Sequence, residues 1–248
     1  MTSDSRAEFE RHTLVVTEKP ETARRLAFAL DREKKPKKMW ESGVPYYVAQ
    51  RNGEITVVPA LGHLYTVAEE KDGRSCCPVL NFRWLPRFLA EKKAKQTRRW
   101  LEVFSKLARN ANRFVDACDY DIEGSIIGYN ILKYACSGKD KAAKRMKYST
   151  LADEELLKAY RNPMQHLDFD LIEAGLARHE IDWLYGINLS RTLTTAVKNC
   201  SGKYTTLSIG RVQGPTLISC GERESDQELR SSPLLAIERQ SSDRWPYS

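Results

Sequence analysis

The feature that most constrains the fold is a unit that occurs twice: an apolar strand, a charged loop and a helix. In the first copy, residues 13–17 (TLVVT) lead into a charged loop and a helix that begins at about Pro20. In the second, residues 114–118 (FVDAC) lead into an acidic loop and a helix over about 125–135. Because strands that alternate with helices pair in parallel, this pattern predicts an α/β domain with a central, mostly parallel sheet.

The rest of the chain divides into segments of different character. A hairpin is predicted between residues 46–48 and 55–58, because the Asn-Gly pair at 52–53 is a strong turn signal. The basic stretch 34–38 predicts a loop, and residues 90–110 predict a helix with one apolar face. We therefore expect an N-terminal extension (1–11), an α/β domain (12–149), a mainly α-helical segment (150–221) and a divergent, polar tail expected to be disordered (222–248).

Three carboxylates follow the second strand at alternate positions: Asp119, Asp121 and Glu123. They lie where the carboxyl edge of a parallel sheet binds ligands. Glu18 holds the equivalent place after the first strand, so it joins them if the two strands are neighbours, and Lys19 adds a cation. Oxygen ligands without histidine are the kind that Mg²⁺ prefers. Three acids in a solvated loop are also common, so the second strand favours a Mg²⁺ site only in combination with the first.

The amino-acid composition limits the kinds of partner, site and cellular location that we expect. The chain has 40 Lys and Arg against 33 Asp and Glu, a net charge of +7, which is typical either of a nucleic-acid-binding protein or of a solvated basic surface. Its six cysteines form no C-x-x-C pair, so we expect reduced, mostly packed thiols and neither a zinc site nor a disulfide framework. No apolar run is long enough to cross a membrane, and residues 1–12 lack the apolar core of a secretory signal, which predicts an intracellular protein.

Two motifs together resemble the Toprim domain, the metal-binding module of topoisomerases, primases and related nucleases. They are TLVVTEKP at 13–20 and ACDYDIEG at 117–124, which supply a glutamate after one strand and D-x-D-x-E after another. Two later segments resemble the type IA DNA topoisomerases, archaeal members above all: 177–191 (ARHEIDWLYGINLSR) and 207–217 (LSIGRVQGPTL). The resemblance covers roughly residues 12–220. It implies a Toprim-type central, mostly parallel sheet flanked by helices, followed by a mainly α-helical segment.

The type IA resemblance implies a Mg²⁺-dependent enzyme that acts on mainly single-stranded DNA. In such an enzyme a tyrosine attacks one strand, forms a 5′-phosphotyrosyl link, lets another strand pass and reseals without ATP. Glu18 would assist proton transfer, and Lys19 would stabilise charge on the phosphate. Four carboxylates are implied to hold the metal: Glu18, Asp119, Asp121 and Glu123. The implied DNA contacts are His63, Arg178, Asp182, Arg191, Arg211 and Gln213. For His63, which lies in a Gly-His-Leu run, a structural hydrogen bond is an equally good interpretation.

The nucleophile is the part of the family pattern that these 248 residues lack. None of the eleven tyrosines lies in a Tyr-x-Arg-Thr motif or a similar one, and Tyr247 has no basic neighbour. We therefore expect a truncated, cytoplasmic and nucleoid-associated protein that depends on missing C-terminal domains or on a complementing chain. Two alternatives stay open: a Toprim nuclease or primase-like enzyme, which needs only the metal cluster, and a non-catalytic fragment that binds single-stranded DNA.

Overall fold

The computed structural model describes residues 12–70 and 77–225. Its strands are β1 (His12–Thr17), β2 (Lys37–Glu41), β3 (Val44–Gln50), β4 (Glu54–Pro59), β5 (Tyr65–Glu69), β6 (Phe82–Pro86), β7 (Arg113–Asp116) and β8 (Lys144–Arg145). Its helices are α1 (Pro20–Leu30), α2 (Arg87–Ala90), α3 (Thr97–Asn110), α4 (Ile122–Asn130), α5 (Asp153–Arg161), α6 (Phe169–Ser201) and α7 (Gln213–Ser225). A 3-10 turn (Lys92–Ala94) precedes α3, and a π-helical turn (Ile131–Ala135) continues α4. The expected N-terminal extension (1–11) and residues 226–248 of the expected tail lie outside the described residues, whereas residues 222–225 belong to α7.

The central strand of the main sheet is β1. In the described residues this sheet has six strands in the order β2-β3-β4-β1-β7-β8, and β1 pairs in parallel with both β4 and β7. Val15 lies opposite Val57 on one side and Val115 on the other. Burial of β1 on both faces explains its continuous apolar run. The prediction of an α/β fold with a mostly parallel sheet, followed by helices, is confirmed.

Helices cover both faces of this sheet. On one face, α1 contributes Leu26 and Leu30 to a core that includes Val15. On the other, α3 contributes Phe104 to a core that includes Leu14. All five side chains are fully buried. Because successive side chains of β1 pack into opposite cores, the strand is held on both sides, and the residues that follow it have a fixed place at the edge of the sheet.

The sequence patterns do not predict four of the strands. The basic stretch is not a loop throughout, since β2 begins at Lys37 and, in the described residues, pairs with β3 alone. It is an edge strand with exposed lysines, and it therefore lacks the apolar alternation by which strands are recognised. The other three are β5 and β6, which form a separate antiparallel sheet, and β8, which has two residues. The helix predicted over 90–110 begins only at Thr97, after the 3-10 turn.

The longest helix, α6, has 33 residues and packs closely on α4. Asp168 caps its first turn, where the carboxylate accepts a hydrogen bond from the backbone N–H of Leu171 at 3.2 Å. Gly175 makes the close packing feasible, because a β-carbon at this position would lie 2.5 Å from Cδ1 of the buried Ile126. Among the described residues, no helix is both long and apolar enough to cross a membrane.

The cysteines match the prediction only in part. None of the five described cysteines forms a disulfide among the described residues. Cys118 and Cys136 pack in the core, whereas Cys77, Cys200 and Cys220 are exposed, so packing accounts for two of the five. Cys76 lies outside the described residues.

Candidate functional site

The carboxyl ends of β1 and β7 bring the two charged loops together. These strands are hydrogen-bonded neighbours, which is the condition under which Glu18 meets the acidic loop. Lys19 Nζ lies 2.5 Å from Asp119 Oδ2 and 3.7 Å from Glu18 Oε1, so its ammonium group bridges the two loops. Residues one hundred positions apart in sequence thus form one polar cluster at the edge of the sheet.

The electrostatics of this cluster favour a cation. Burial raises the pKa of Glu18 above its ordinary value, and the charges of Asp119 and Asp121 raise it further, against the lowering effect of Lys19. The hydrogen bond to Asp119 raises the pKa of Lys19. Three carboxylates that repel one another at a sheet edge, and that offer oxygen alone, form a donor set of the kind that fits Mg²⁺.

The acidic loop is folded tightly onto the start of α4. Asp121 caps this helix, with Oδ1 accepting a hydrogen bond from the backbone N–H of Gly124 at 2.7 Å. A β-carbon at Gly124 would lie 2.2 Å from the carbonyl oxygen of Asp119. Glycine is therefore required here by the backbone of the loop itself, and this contact sets the position of Asp119 relative to the helix.

A buried ion pair between Arg145 and Asp116 holds the same loop in place from inside the α/β domain. Arg145 and Asp116 are each about 1% exposed in their side chains, and Arg145 Nη1 lies 3.2 Å from Asp116 Oδ1. The guanidinium also donates to the carbonyl oxygens of Cys118, at 2.8 Å, and Asp119, at 2.7 Å. Sequence patterns do not single out Arg145, because Lys144-Arg145 in a polar stretch has the appearance of a surface pair.

A second cluster lies beside the first and contains two histidines. Glu123 Oε2 is 2.9 Å from His63 Nε2 and 2.9 Å from His179 Nε2. His63 reaches it from the loop after β4 and His179 from the third turn of α6, and their ring centroids are 5.1 Å apart. In the loop, Leu61 and Gly62 both have positive φ, and this turn carries His63 back over the sheet edge. The sequence patterns do not single out His179, because one histidine within a long helix gives no signal of its partner.

The histidines determine the protonation of this second cluster. Burial alone would raise the pKa of Glu123, but hydrogen bonds with His179 and His63 outweigh it and lower the pKa. The pKa of His63 is lowered, chiefly by burial, although its hydrogen bond with Glu123 acts in the opposite direction. Across the described residues, no other trio of His, Cys, Asp or Glu ligand atoms lies within the 4.8 Å that encloses His63, Glu123 and His179. In this structure the four carboxylates of the predicted metal set are thus divided, with Glu123 facing the histidines.

Most of the predicted DNA-contacting residues lie on α6 and on the segment that packs along it. Arg178 Nε is 4.0 Å from Asp182 Oδ2, and Arg211 Nη2 is 2.9 Å from the same oxygen, so Asp182 joins two arginines. Arg191 makes a two-pronged ion pair with Glu69 at 2.6 and 3.2 Å, which ties α6 to the small sheet.

The segment that contains Arg211 is attached to α6 through hydroxyl groups. Ser190 Oγ accepts a hydrogen bond from the backbone N–H of Ile209 at 3.0 Å, and Thr194 Oγ1 accepts one from Leu207 at 3.0 Å. Gln213 is the first residue of α7 and is exposed. The structure therefore places His63 in the histidine cluster, four predicted residues around α6, and Gln213 at the start of the next helix.

Comparison with known proteins gives consistent matches. The family model described as Toprim domain matches residues 13–151, and the one described as DNA topoisomerase matches residues 166–233. Similar curated proteins include DNA topoisomerase 1 of Pyrococcus horikoshii, 46% identical over 214 residues, which are 86% of this chain and 31% of that protein. DNA topoisomerase 1 of Pyrococcus furiosus is 45% identical over 226 residues (90% of this chain, 21% of that protein), and that of Methanocaldococcus jannaschii is 41% identical over 228 residues (91% and 29%). The chain therefore spans less than a third of the length of these relatives.

Proposed function

This chain belongs to the Toprim-containing DNA topoisomerases, and from that premise we propose that it supplies the metal-binding part and the first DNA-binding helices of a type IA enzyme. Such an enzyme cuts one DNA strand through a 5′-phosphotyrosine, passes another strand and reseals without ATP. The observation that carries the proposal is the convergence of Glu18, Lys19 and Asp119 at the carboxyl edge of the sheet, where α6 meets the same acidic loop through the contact of His179 with Glu123.

The proposed roles follow from the position of each side chain. Glu18, Asp119 and Asp121 hold Mg²⁺, which when bound neutralises charge on the phosphate oxygens. Without a bound cation the pKa of Glu18 is raised, so its carboxyl group holds a proton at a higher pH than an ordinary glutamate and can pass that proton to a leaving oxygen; it serves as a metal ligand only once it is deprotonated. Lys19 Nζ donates to a phosphate oxygen once that group replaces Asp119 as its partner. Glu123 is left to the two histidines that already engage it.

The DNA path is proposed to follow α6. Arg178 and Arg211 share Asp182, so each guanidinium has its orientation set before DNA arrives. Side chains that contact phosphates fix the position of a strand without reading its bases, which fits an enzyme that acts on many sequences. Arg191, held by Glu69, is assigned to positioning the helix rather than to a free phosphate contact.

We propose further that the attacking tyrosine is supplied by a segment or chain outside these 248 residues, since none of the eleven tyrosines has the sequence context of the nucleophile. On this basis the chain alone binds single-stranded DNA and does not relax supercoils. Additional domains or a complementing chain would complete the reaction.

The test compares binding and chemistry in the same samples. Fluorescence anisotropy with a labelled single-stranded oligonucleotide, with and without Mg²⁺, is combined with relaxation of negatively supercoiled plasmid. We expect binding that weakens steeply with salt and no relaxation. Mg²⁺ should change the affinity of the parent chain for the oligonucleotide, and the double variant Asp119→Asn/Asp121→Asn should bind equally with and without it. Glu54→Gln should respond to Mg²⁺ as the parent does, because Glu54 is an exposed carboxylate at the amino end of β4 and thus at the opposite edge of the sheet.

Each other outcome has a clear meaning. Relaxation with a covalent 5′ adduct would show that one of these tyrosines is the nucleophile, and it would refute the proposal that the nucleophile lies outside these residues. Mg²⁺-dependent nicking without an adduct would favour the alternative of a Toprim nuclease, which needs only the metal cluster. Failure to bind single-stranded DNA at low salt would refute the proposed DNA path.

A further inference from the structure

The second cluster has the composition of a different kind of metal site. We propose that His63, Glu123 and His179 bind a transition metal of the Zn²⁺ class, selected against Mg²⁺, which clamps α6 onto the α/β domain. The inference does not depend on topoisomerase activity, because it concerns which cation the three side chains bind.

The three ligand atoms are already close to the arrangement that such an ion needs. Both histidine Nε2 atoms lie 2.9 Å from the same carboxylate oxygen, and all three atoms are within 4.8 Å of one another. In a tetrahedral Zn²⁺ site with bonds of about 2.0–2.1 Å, neighbouring ligand atoms are roughly 3.4 Å apart. Each nitrogen therefore has to move about 0.5 Å away from the carboxylate oxygen, and the two nitrogens, which lie within 4.8 Å of each other, have to approach by up to about 1.4 Å. The side chains of the three residues are 28%, 42% and 31% exposed, which leaves the cluster open to an ion and to a solvent ligand.

The chemistry of the donors determines which cation is preferred. Two imidazoles and one carboxylate are a common ligand set for Zn²⁺ with a fourth position open. Mg²⁺ prefers oxygen and water, so it should choose the carboxylates near Lys19 instead. The two clusters, adjacent at one sheet edge, therefore differ in cation preference.

The origin of the three ligands gives the site a mechanical role. His63 comes from the loop after β4, Glu123 from the first turn of α4 and His179 from α6. The Trp84 ring centroid lies 5.9 Å from that of His179, and the Trp84 indole N–H donates to Glu180 at 2.9 Å, so β6 helps to orient this face of α6. A metal held by all three residues would join the Toprim portion to the helical portion at the point where Gly175 already allows close packing.

The experiment uses the full 248-residue chain and Co²⁺ as a spectroscopic substitute for Zn²⁺. Co²⁺ is titrated in the presence of excess Mg²⁺ while visible absorption is recorded. We expect one equivalent of Co²⁺ to give the absorption of a low-coordinate nitrogen and oxygen site. Zn²⁺ should displace it, and thermal unfolding should shift to a higher temperature on binding.

Variants assign the signal to the cluster. His179→Asn and His63→Asn should each weaken Co²⁺ binding by roughly 100-fold or more, since even indirect partners of metal ligands are worth about 10–100-fold. The matched control is His166→Asn, an exposed histidine just before α6, which should leave the titration unchanged. Asp119→Asn should also retain the Co²⁺ absorption. Circular dichroism checks that each variant is folded, and Glu123→Gln provides a third ligand variant if one histidine variant is not.

Three results would overturn the inference. The first is Co²⁺ binding that survives the loss of either histidine in a folded variant. The second is displacement of Co²⁺ by Mg²⁺ at comparable concentrations, which would indicate a single hard-cation site. The third is a sulfur-to-metal charge-transfer band, which would show that an exposed cysteine such as Cys77 is the ligand.

Discussion

Replacement of Gly124 by alanine tests whether the backbone of the acidic loop positions the carboxylates that are proposed to bind Mg²⁺. The added β-carbon would lie 2.2 Å from the carbonyl oxygen of Asp119 and 3.0 Å from its backbone nitrogen and carbon. An ordinary contact begins at 3.4 Å, so the loop or the helix has to move by about 1.2 Å. Because the obstacle is backbone and not the end of a flexible side chain, rotation of a side chain does not relieve the clash.

The magnitude follows from this displacement. Overpacking of this kind costs about 1–3 kcal/mol, whereas alanine is intrinsically better than glycine in a helix by up to about 1 kcal/mol. We therefore expect a net loss of stability, equivalent to a decrease of about 2–4 °C in melting temperature for each kcal/mol in a chain of this size. Mg²⁺ tolerates little error in ligand distance, so a shift of Asp119 by about 1 Å should weaken Mg²⁺ binding by about 10–100-fold.

The assay is thermal unfolding with and without Mg²⁺, together with calorimetric titration of Mg²⁺ into the native protein. The matched control is Gly186→Ala in α6, where a β-carbon would meet no atom within 4 Å and alanine should be neutral or stabilising. The reasoning is refuted if Gly124→Ala is as stable as the parent and binds Mg²⁺ equally well.

Three further predictions concern the supports around the site. Arg145→Met should lower the free energy of unfolding in urea by about 3–5 kcal/mol, because it leaves Asp116 buried without its partner. Adding Asp116→Asn to this variant should recover part of the lost stability, but it cannot restore the hydrogen bonds from Arg145 to the carbonyl oxygens of the loop. Gly175→Ala should cost about 1–3 kcal/mol, and Ile126→Val, which removes Cδ1, the nearest of the three obstructing atoms, should cost less in that background than on its own. The pKa of Asp31 is lowered because hydrogen bonds from the backbone N–H groups of Lys35, Gln50 and Glu33 outweigh the raising effect of burial. Its stabilising effect is therefore fully present above its ordinary pKa of 3.8 and is lost as the pH falls below that value through the folded pKa, so the deficit of Asp31→Asn measured at pH 7 should shrink in this acidic window.

Each of these has an outcome that contradicts it. For the buried pair it is an Arg145→Met protein that unfolds at the same urea concentration as the parent. For Gly175 it is a strictly additive double variant, which would show that the contact with Ile126 does not limit the approach of α6. For Asp31 it is a deficit that stays constant from pH 7 into the acidic window.

The strands at the centre of the sheet could be predicted from sequence because they are buried on both faces. The runs 13–17 and 114–118, which contain most of β1 and β7, are short and mainly apolar, and each ends directly before its charged loop. β2 could not be predicted in the same way, since an edge strand with lysines in solvent has no apolar periodicity. Pairing with β3, and not any pattern of its own, makes that segment a strand.

The sequence predicts which carboxylates follow the two strands, but it does not show that these strands are neighbours in the sheet. The placing of Glu18 near Asp119 requires β1 and β7 to pair, and this depends on the path of the chain through more than ninety intervening residues. The positions of His179 and Arg145 could not be predicted from the sequence for another reason. A helix pattern does not show which side chain meets a loop from another part of the chain, and a Lys-Arg pair does not reveal that the arginine is about 1% exposed.

The length of α6 has a mechanical consequence. At about 1.5 Å per residue its 33 residues extend for about 50 Å, yet its buried residues, Ile172 and Gly175, both lie near its first end. A tilt of about 5° around the Gly175 contact would move Ser201 by about 3 Å, because the two residues are roughly 39 Å apart along the helix. Two further contacts oppose such a tilt, because Trp84 holds Glu180 and Glu69 holds Arg191. A small repacking at α4 would therefore displace the far end of α6 only together with the small sheet to which Arg191 is tied.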